Sequence, residues 1–522
     1  MRTLCLLLVA TWWLAGCGTL PLDLPRPPSS AWPSPESSPL ARAYAPQLAA
    51  HPGQSGLHAL PAGIDAFAAR AALADGAGHT LDLQYYILRN DDTTWLLLGR
   101  VLRAAQRGVR VRLLVDDLDA LGKDPDLAVL ASFPNVEVRV FNPFATRGAF
   151  GLGHLLEALG DTRRLNRRMH NKLWIADNAM AVIGGRNLGD EYFDAAGEVN
   201  FTDLDLLVAG PAVRTMSDSF DAFWNSRWSL PIQALAHEQP AEAARSGLQR
   251  RLLPQAEAFR RSAYAQALRE AQLGRTLRSG QLALKPAPVE VVFDDPAKID
   301  ALEDPTAPAA SLFGARLRPL MAAARQELIL VSPYFIPSEA GIAGLAALVR
   351  RGVKVRVLTN SLASADAVPL AHAGYARRRE ALVDAGVELH EMRPDGARPA
   401  RARGLRASGA YLHTKAIVVD RHHLVVGSMN LDPRSRLSNT ELGLLVDSPP
   451  LAAQLADLFD EAVAPSRAFR VSRAAGGGAD APLRWHTEDD GRPVQHTQEP
   501  LTSVWRRALS RLLQAVAPEE LL

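Results

Sequence analysis

The sequence predicts an α/β chain of two tandem α/β/α sandwich domains related by a pseudo-twofold axis, and three observations carry that reading. Residues 103–117, RAAQRGVRVRLLVDD, line up with residues 346–360, AALVRRGVKVRVLTN. In each, an amphipathic helix end meets a glycine stop and then an apolar strand. HNKLWIAD at 170–177 returns as HTKAIVVD at 413–420. Strand-like and helix-like segments alternate through both halves, the pattern of a sheet covered by helices on both faces. Gly108 and Gly352 are 244 residues apart and His170 and His413 are 243 apart, so one duplication accounts for both spacings.

The segments follow in chain order. Residues 1–17 open with Arg2, continue through the apolar run Leu4 to Leu14, too short to span a bilayer, and end in Leu14-Ala15-Gly16-Cys17. This resembles a bacterial lipoprotein signal peptide, which implies cleavage before Cys17, lipidation of its thiol and a membrane-anchored protein of the cell envelope facing the periplasm. Cys5 leaves with the signal, so the mature chain has no cysteine for a disulfide, a metal site or a nucleophile. Residues 18–60, with seven prolines between Pro21 and Pro39, read as a semi-extended tether.

Residues 61–235 form the first repeat, with strands expected at 81–87, 109–115, 136–142, 171–177, 180–185 and 203–209 and helices at 93–107 and 213–226. Residues 236–288, rich in Ala, Arg and Gln, read as a helical linker. The second repeat, 289–470, takes strands at 327–335, 353–358, 387–392, 415–420, 424–429 and 441–447 and helices at 341–351, 372–385 and 451–463. Residues 471–522 are a tail that begins in a Gly/Ala-rich loop. In it, Trp505, Leu509, Leu512, Leu513 and Val516 form an apolar stripe with arginines opposite, a face expected to pack on the catalytic domain, with insertion into a membrane as the alternative.

At 48% hydrophobic content, the roughly 460 residues after the tether suffice for two domains of ordinary size. The net charge of +2 supplies no global field for nucleic acid, and none is expected as a partner. Oligomeric state is left open.

The repeated motif carries the chemistry. From 13 His, 6 Lys and 34 Asp in 522 residues, H-x-K-x4-D is expected by chance about 0.01 times. It occurs twice, and both copies run on into Gly184-Gly185-Arg186-Asn187 and Gly427-Ser428-Met429-Asn430. Of 58 basic residues 52 are arginine, yet both motifs take lysine, the compact and strongly hydrated cation. Along a strand His170 shares a face with Lys172, and His413 with Lys415. If the two units face each other, four such groups meet at one site, an arrangement suited to a phosphodiester. One imidazole attacks phosphorus and the other protonates the leaving alkoxide. A carboxylate behind each ring would fix its tautomer, with Asp177 and Asp420 or Glu191 and Glu441 as candidates.

These residues resemble the phospholipase D superfamily, and within it the bacterial cardiolipin synthases, those of the C type in particular. The closer likeness rests on QYYIL at 84–88, GGRNLGDEYF at 184–193, VSPYFIPSEAG at 331–341, AHAGYARRREALVDAGVELHE at 371–391 and GSMNLDPRSRLSNTELG at 427–443. It implies two tandem phospholipase D-like domains, a phosphohistidine on His170 and proton transfer by His413. Lys172, Lys415, Asn187 and Asn430 would line the phosphate pocket. It implies phospholipid substrates, phosphatidylglycerol with a second phosphatidyl donor such as phosphatidylethanolamine, and no metal or other cofactor. One departure is Gly185 where the second copy has Ser428, so a hydroxyl donor is missing from the first. Asp116, Asp117 and Asp119 end a strand and read as loop polar groups rather than a cation site. Arg163, Arg164, Arg167 and Arg168 before the first motif, and Arg393, Arg398, Arg401, Arg403 and Arg406 before the second, would either present cations to an anionic lipid surface or lie in solvated loops.

Overall fold

The structure, a computed structural model, describes residues 20–516 apart from 121, 148–156, 158–160, 198, 237–241, 303–311, 365–368, 397–408 and 475–480. Cys17 and the signal-like segment lie outside the described residues, as do Arg398, Arg401, Arg403 and Arg406.

The first unit contributes β1 (Ser55–Leu60), β2 (Thr80–Tyr85), β3 (Arg110–Asp116), β4 (Val136–Phe141), β5 (Leu173–Ala176), β6 (Met180–Gly184), β7 (Val199–Thr202), β8 (Asp205–Ala209), β9 (Ser229–Pro231) and β10 (Lys285–Ala287). The second contributes β11 (Val289–Phe293), β12 (Glu327–Val331), β13 (Lys354–Asn360), β14 (Glu388–Met392), β15 (Gly409–Leu412), β16 (Ala416–Val419), β17 (His423–Gly427), β18 (Leu442–Asp447), β19 (Ala468–Arg473), β20 (Leu483–Asp489) and β21 (Arg492–His496). One sheet runs β10-β1-β8-β6-β5-β2-β3-β4-β9 and the other β11-β18-β17-β16-β12-β13-β14-β19-β20-β21. From β1 to β9 and from β11 to β19 the order is the same, so the duplication read from spacing is also one of topology. In each sheet three parallel strands (β2, β3, β4 and β12, β13, β14) are flanked by antiparallel ones.

Local chemistry sets these elements. β2 is buried along its whole length, as expected for a strand covered on both faces. Asp91 caps the helix Asp92–Gln106 by accepting from Thr94 N–H at 3.2 Å, and Ser338 caps Glu339–Arg350 through Gly341 N–H at 3.3 Å. Gly108 and Gly352, with φ of +97° and +85°, take the left-handed position that ends each helix before its strand.

Two expectations are revised. The tether is laid onto the first unit from Leu20 onward: Arg26 donates to the carbonyls of Arg227 and Ser229, Ala31 N–H to Asp221 at 2.8 Å, and Trp32 stacks on His79. The helix Pro39–Ala49 and β1 follow, with Tyr44 buried and its hydroxyl on the Leu277 carbonyl. Prolines alone do not keep a chain extended when it carries side chains that bury well. The linker is helical (Glu242–Arg260, Ala263–Glu270, Leu273–Arg278), but it lies on the first unit's core through Leu248, Tyr264 and Leu277. The chain changes sheets at Pro288, between β10 and β11. In the tail, β20 and β21 widen the second sheet.

The two units share a core. One apolar cluster takes Met169, Leu173, Ile175, Met216 and Phe220 from the first together with Leu412, Ala416, Val418, Leu444 and Leu455 from the second. A two-stranded parallel ribbon of β7 and β15 also ties them. Burial of this shared face locks the sheets in a fixed relation, which places the two motifs against each other.

Candidate active site

Each motif histidine sits in an extended segment just before its strand. His170 N–H donates to the Thr440 carbonyl at 3.0 Å, and His413 N–H to the Thr202 carbonyl at 2.8 Å. Each backbone anchor comes from the opposite unit. The side chains repeat the exchange: His170 Nδ1 is 3.0 Å from Glu441 Oε2, and His413 Nδ1 is 2.6 Å from Asp203 Oδ2. With Nδ1 engaged by a carboxylate, Nε2 of each ring is left for chemistry.

Lys172 Nζ donates to the His170 carbonyl at 2.6 Å and Lys415 Nζ to the His413 carbonyl at 2.5 Å, so each lysine curls back over its own histidine. Tyr86 meets the His170 ring edge-on, and Phe201 stacks on His413. Lys172, Lys415 and His170 are buried, and Ser428 and Asn430 with them.

Burial first, then Lys172, Lys415 and Arg434, hold the His170 imidazolium well below its ordinary range. Burial, Lys415 and Lys172 likewise disfavour the His413 cation, against the pull of Asp203. Both rings are therefore held as weak bases by their surroundings. Burial lowers both ammonium groups, Lys172 well below its ordinary value and Lys415 to about 8. The two carboxylates diverge. Burial lifts Glu441 to about 7 in spite of Lys172. Burial also opposes ionisation of Asp203, but His413, Lys415 and Arg186 outweigh it and keep that carboxylate charged. Of the two imidazoles, His413 thus has the partner that ionises more readily.

The motif aspartates lie elsewhere, which corrects their reading as histidine orienters. Asp177 and Asp420 have φ of +55° and +53°, each followed by another positive φ, at Asn178 and Arg421. This is the backbone of a type I′ turn, and it closes the hairpins β5–β6 and β16–β17. Asp177 accepts from the N–H groups of Gly78, His79 and Thr80 and from Ser38 Oγ. Asp420 accepts from the N–H groups of Arg325, Gln326 and Glu327. Both tie a hairpin to the start of the neighbouring strand, at the end of the sheet remote from the imidazoles.

Glu191 is also displaced from its expected role, pairing with Arg89 at 3.2 Å. The true counterpart of Glu441 is Asp203, which the sequence reading missed. The signal was present: Thr202-Asp203-Leu204-Asp205-Leu206-Leu207-Val208 parallels Thr440-Glu441-Leu442-Gly443-Leu444-Leu445-Val446. An extra five residues between the glycine pair and the carboxylate in the first copy hid it.

Gly185 now has a reason. A Cβ there would stand 2.3 Å from Asp203 Oδ1, whereas in the second unit the Ser428 hydroxyl donates to the longer Glu441. Asn187 receives Ile87 N–H and donates to the Tyr192 hydroxyl at 3.0 Å. Asn430 keeps a buried amide oxygen with no hydrogen-bond partner among the described residues. Asp116, Asp117 and Asp119 face Arg168, Arg147 and the pair Arg89 and Lys123 respectively, so each already has a protein cation. Three of the arginines before the motifs are structural: Arg164 pairs with Asp161, Arg168 is fully buried against Asp116, and Arg393 joins Asp395 and Asp489.

Two crossed histidine–carboxylate pairs with a lysine over each, set between duplicated α/β sheets, define a phosphodiester enzyme of the phospholipase D class. The family described as "Cardiolipin synthase, PLD-like domain" matches residues 71–224 and 317–463. The chain is 39% identical over 487 residues to cardiolipin synthase C of Escherichia coli (strain K12), covering 92% of this chain and 99% of that protein. It is 28% identical over 403 residues to cardiolipin synthase A of Pseudomonas entomophila (strain L48), covering 76% and 67%. The crystal structure of phosphatidylserine synthase from Haemophilus influenzae Rd KW20 shares the fold, with a TM-score of 0.54 at 13% identity over 88% of this chain and 92% of that one. This chain belongs to the cardiolipin synthase family of phospholipase D-like proteins.

Proposed function

We infer that the chain is a phosphatidyltransferase that makes cardiolipin from phosphatidylglycerol and a second phospholipid, in two steps through a phosphohistidine. The observation that carries this reading is the reciprocal pairing of His170 with Glu441 and of His413 with Asp203, in a chain whose likeness to cardiolipin synthase C covers 92% of its length.

In the first step His170 Nε2 attacks the phosphorus of the donor lipid, the P–O bond to the head-group alcohol breaks, and His413 gives its proton to the departing oxygen. The phosphodiester brings a negative charge that offsets Lys172 and Lys415, and this restores the basicity of the rings. The ionised Asp203 makes His413 the ring that carries the proton. In the second step a phosphatidylglycerol hydroxyl gives its proton to His413, its oxygen attacks phosphorus, and the P–N bond to His170 breaks. The lysines balance the charge that grows on the non-bridging oxygens, with Asn430 and Asn187 bordering the same pocket. Burial of the lysines and of Asn430 limits water at the phosphoenzyme and favours transfer over hydrolysis.

The lipoprotein-like start supports an anchor at Cys17 that holds the enzyme to the cell envelope, facing the periplasm. Among the described residues no helix is long and apolar enough to cross a bilayer.

The test is incubation of the purified chain with labelled phosphatidylglycerol, with and without phosphatidylethanolamine, beside His170→Ala and His413→Ala. Labelled cardiolipin from the unsubstituted chain and from neither variant is expected. Phosphatidic acid as the sole product would replace transfer by hydrolysis, and full turnover by either variant would remove the assigned roles.

A further inference from the structure

The C-terminal helix Val504–Val516 is turned inside out. Val504, Trp505, Leu509, Leu512 and Val516 face solvent, Trp505 at 85% and Val516 at 64% exposure, and Ala508 and Ala515 lie between them. Its single buried residue is Ser510. This reverses the expectation that the stripe packs on the protein. The polar side faces the helix Pro369–Asp384, where Arg377 donates to the carbonyls of Leu513 and Gln514. Just before it, Glu499 is clamped by Arg379 at 2.7 Å and His372 at 3.2 Å. The helix is therefore fixed in this orientation, with about two-fifths of its circumference apolar and outward.

The charge pattern identifies what covers that face. At 100° per residue, Arg507 and Arg511 flank one edge of the stripe and Arg506 the other, and Val504–Val516 contains no acidic residue. An apolar stripe with an indole at its centre and guanidinium groups along both edges matches the interfacial layer of an anionic bilayer. A tryptophan is suited to that layer because its ring is apolar and its N–H stays wet. A second protein copy would bring together six arginines, three from each helix, with no carboxylate within either Val504–Val516 span to answer them.

We propose that this helix docks flat on an anionic phospholipid leaflet and holds the second unit against the membrane, independently of any anchor at Cys17. The proposal rests in part on the reading that the substrates are phospholipids.

The test uses the full chain with its only two cysteines, Cys5 and Cys17, replaced by serine, and an environment-sensitive fluorophore on Leu509→Cys. Vesicles of phosphatidylcholine with phosphatidylglycerol should blue-shift the emission, phosphatidylcholine vesicles much less, and added salt should reverse the shift. Adding Trp505→Glu and Leu512→Glu should weaken partition about tenfold or more per side chain, about 1.4 kcal/mol each. Circular dichroism of that variant should be unchanged. Its turnover should be kept in mixed detergent–lipid micelles and lost on vesicles. No shift on anionic vesicles overturns the proposal. A shift that grows with protein concentration in the absence of lipid does so as well, by assigning the face to a second copy. Lack of cardiolipin synthesis in micelles by the unsubstituted chain would count against the transfer reading alone, since the fluorescence reports the helix by itself.

Discussion

Asp203 and His413 belong to different units, yet the carboxylate oxygen and Nδ1 stand 2.6 Å apart, and Glu441 returns the contact to His170 from the other side. Neither motif histidine takes its carboxylate from its own unit. Asp203→Asn keeps the shape but removes the charge that stabilises an imidazolium, so kcat should fall by about 10²–10⁴, the usual contribution of general acid–base catalysis. The acidic limb of the pH–rate profile should move with it. An unaltered profile would make Asp203 a purely structural contact.

In the proposed first step His413 is needed only to bring a proton to the leaving oxygen. With a phosphatidyl ester of p-nitrophenol, whose leaving group needs no protonation, His413→Ala should recover most of its first-step rate, read as a burst of p-nitrophenolate. His170→Ala should gain nothing, because its substitution removes the nucleophile. Rescue of both variants, or of neither, would contradict the division of roles.

Lys415 is lowered to about 8 by burial, and it works as a cation. Above that pH it loses its proton and with it the stabilisation of the phosphoryl oxygens, so kcat/KM should fall on the alkaline side with an apparent pKa near this value. Lys415→Arg should be slower because a planar fork replaces a compact ammonium, and its alkaline limb should vanish. A limb that persists in the arginine variant would assign it to another group.

Asp177 should matter for stability and not for chemistry. Replacing it with alanine leaves three N–H groups and a hydroxyl without their acceptor, and removes a charged acceptor from a strained turn, a loss of about 2–4 kcal/mol. Denaturant unfolding should report that loss, while kcat per folded molecule stays within about twofold. A large drop in kcat with unchanged stability would return the aspartate to the catalytic site.

Glu499 is depressed to about 2 by His372 and Arg379, which outweigh its burial. Its folded pKa lies below its ordinary 4.5, so its contribution is present above pH 4.5 and disappears as the pH falls toward 2. Glu499→Gln should therefore destabilise the protein by up to about 3 kcal/mol at pH 7, and the gap should narrow below pH 4.5. A gap that does not change with pH would mean that the carboxylate is not held by Arg379 and His372.

What the sequence made legible was whatever repeats locally. The helix–glycine–strand repeat and the two motifs give both sheets and locate the two imidazoles, because strand burial and helix caps are decided by neighbours in sequence. The carboxylate partners were not legible in the same way. Asp177 lies seven residues after His170, and that closeness drew the assignment, but β5 carries it to the far end of the sheet, where the turn requires it. Asp203 reaches His413 only through the packing of two units, a contact across 210 residues. The face of the C-terminal helix was misjudged for a related reason: its stripe is plain in the sequence, but Ser510, Arg377 and Glu499 decide which side turns inward.

The carbonyls of Thr202 and Thr440 grip the histidines from across the seam, and a common apolar core lies beneath them. Prising the halves apart would disarm both rings in one motion. Catalysis is thereby confined to the joined state of the two units, and a lipid has to reach the rings while the seam stays shut.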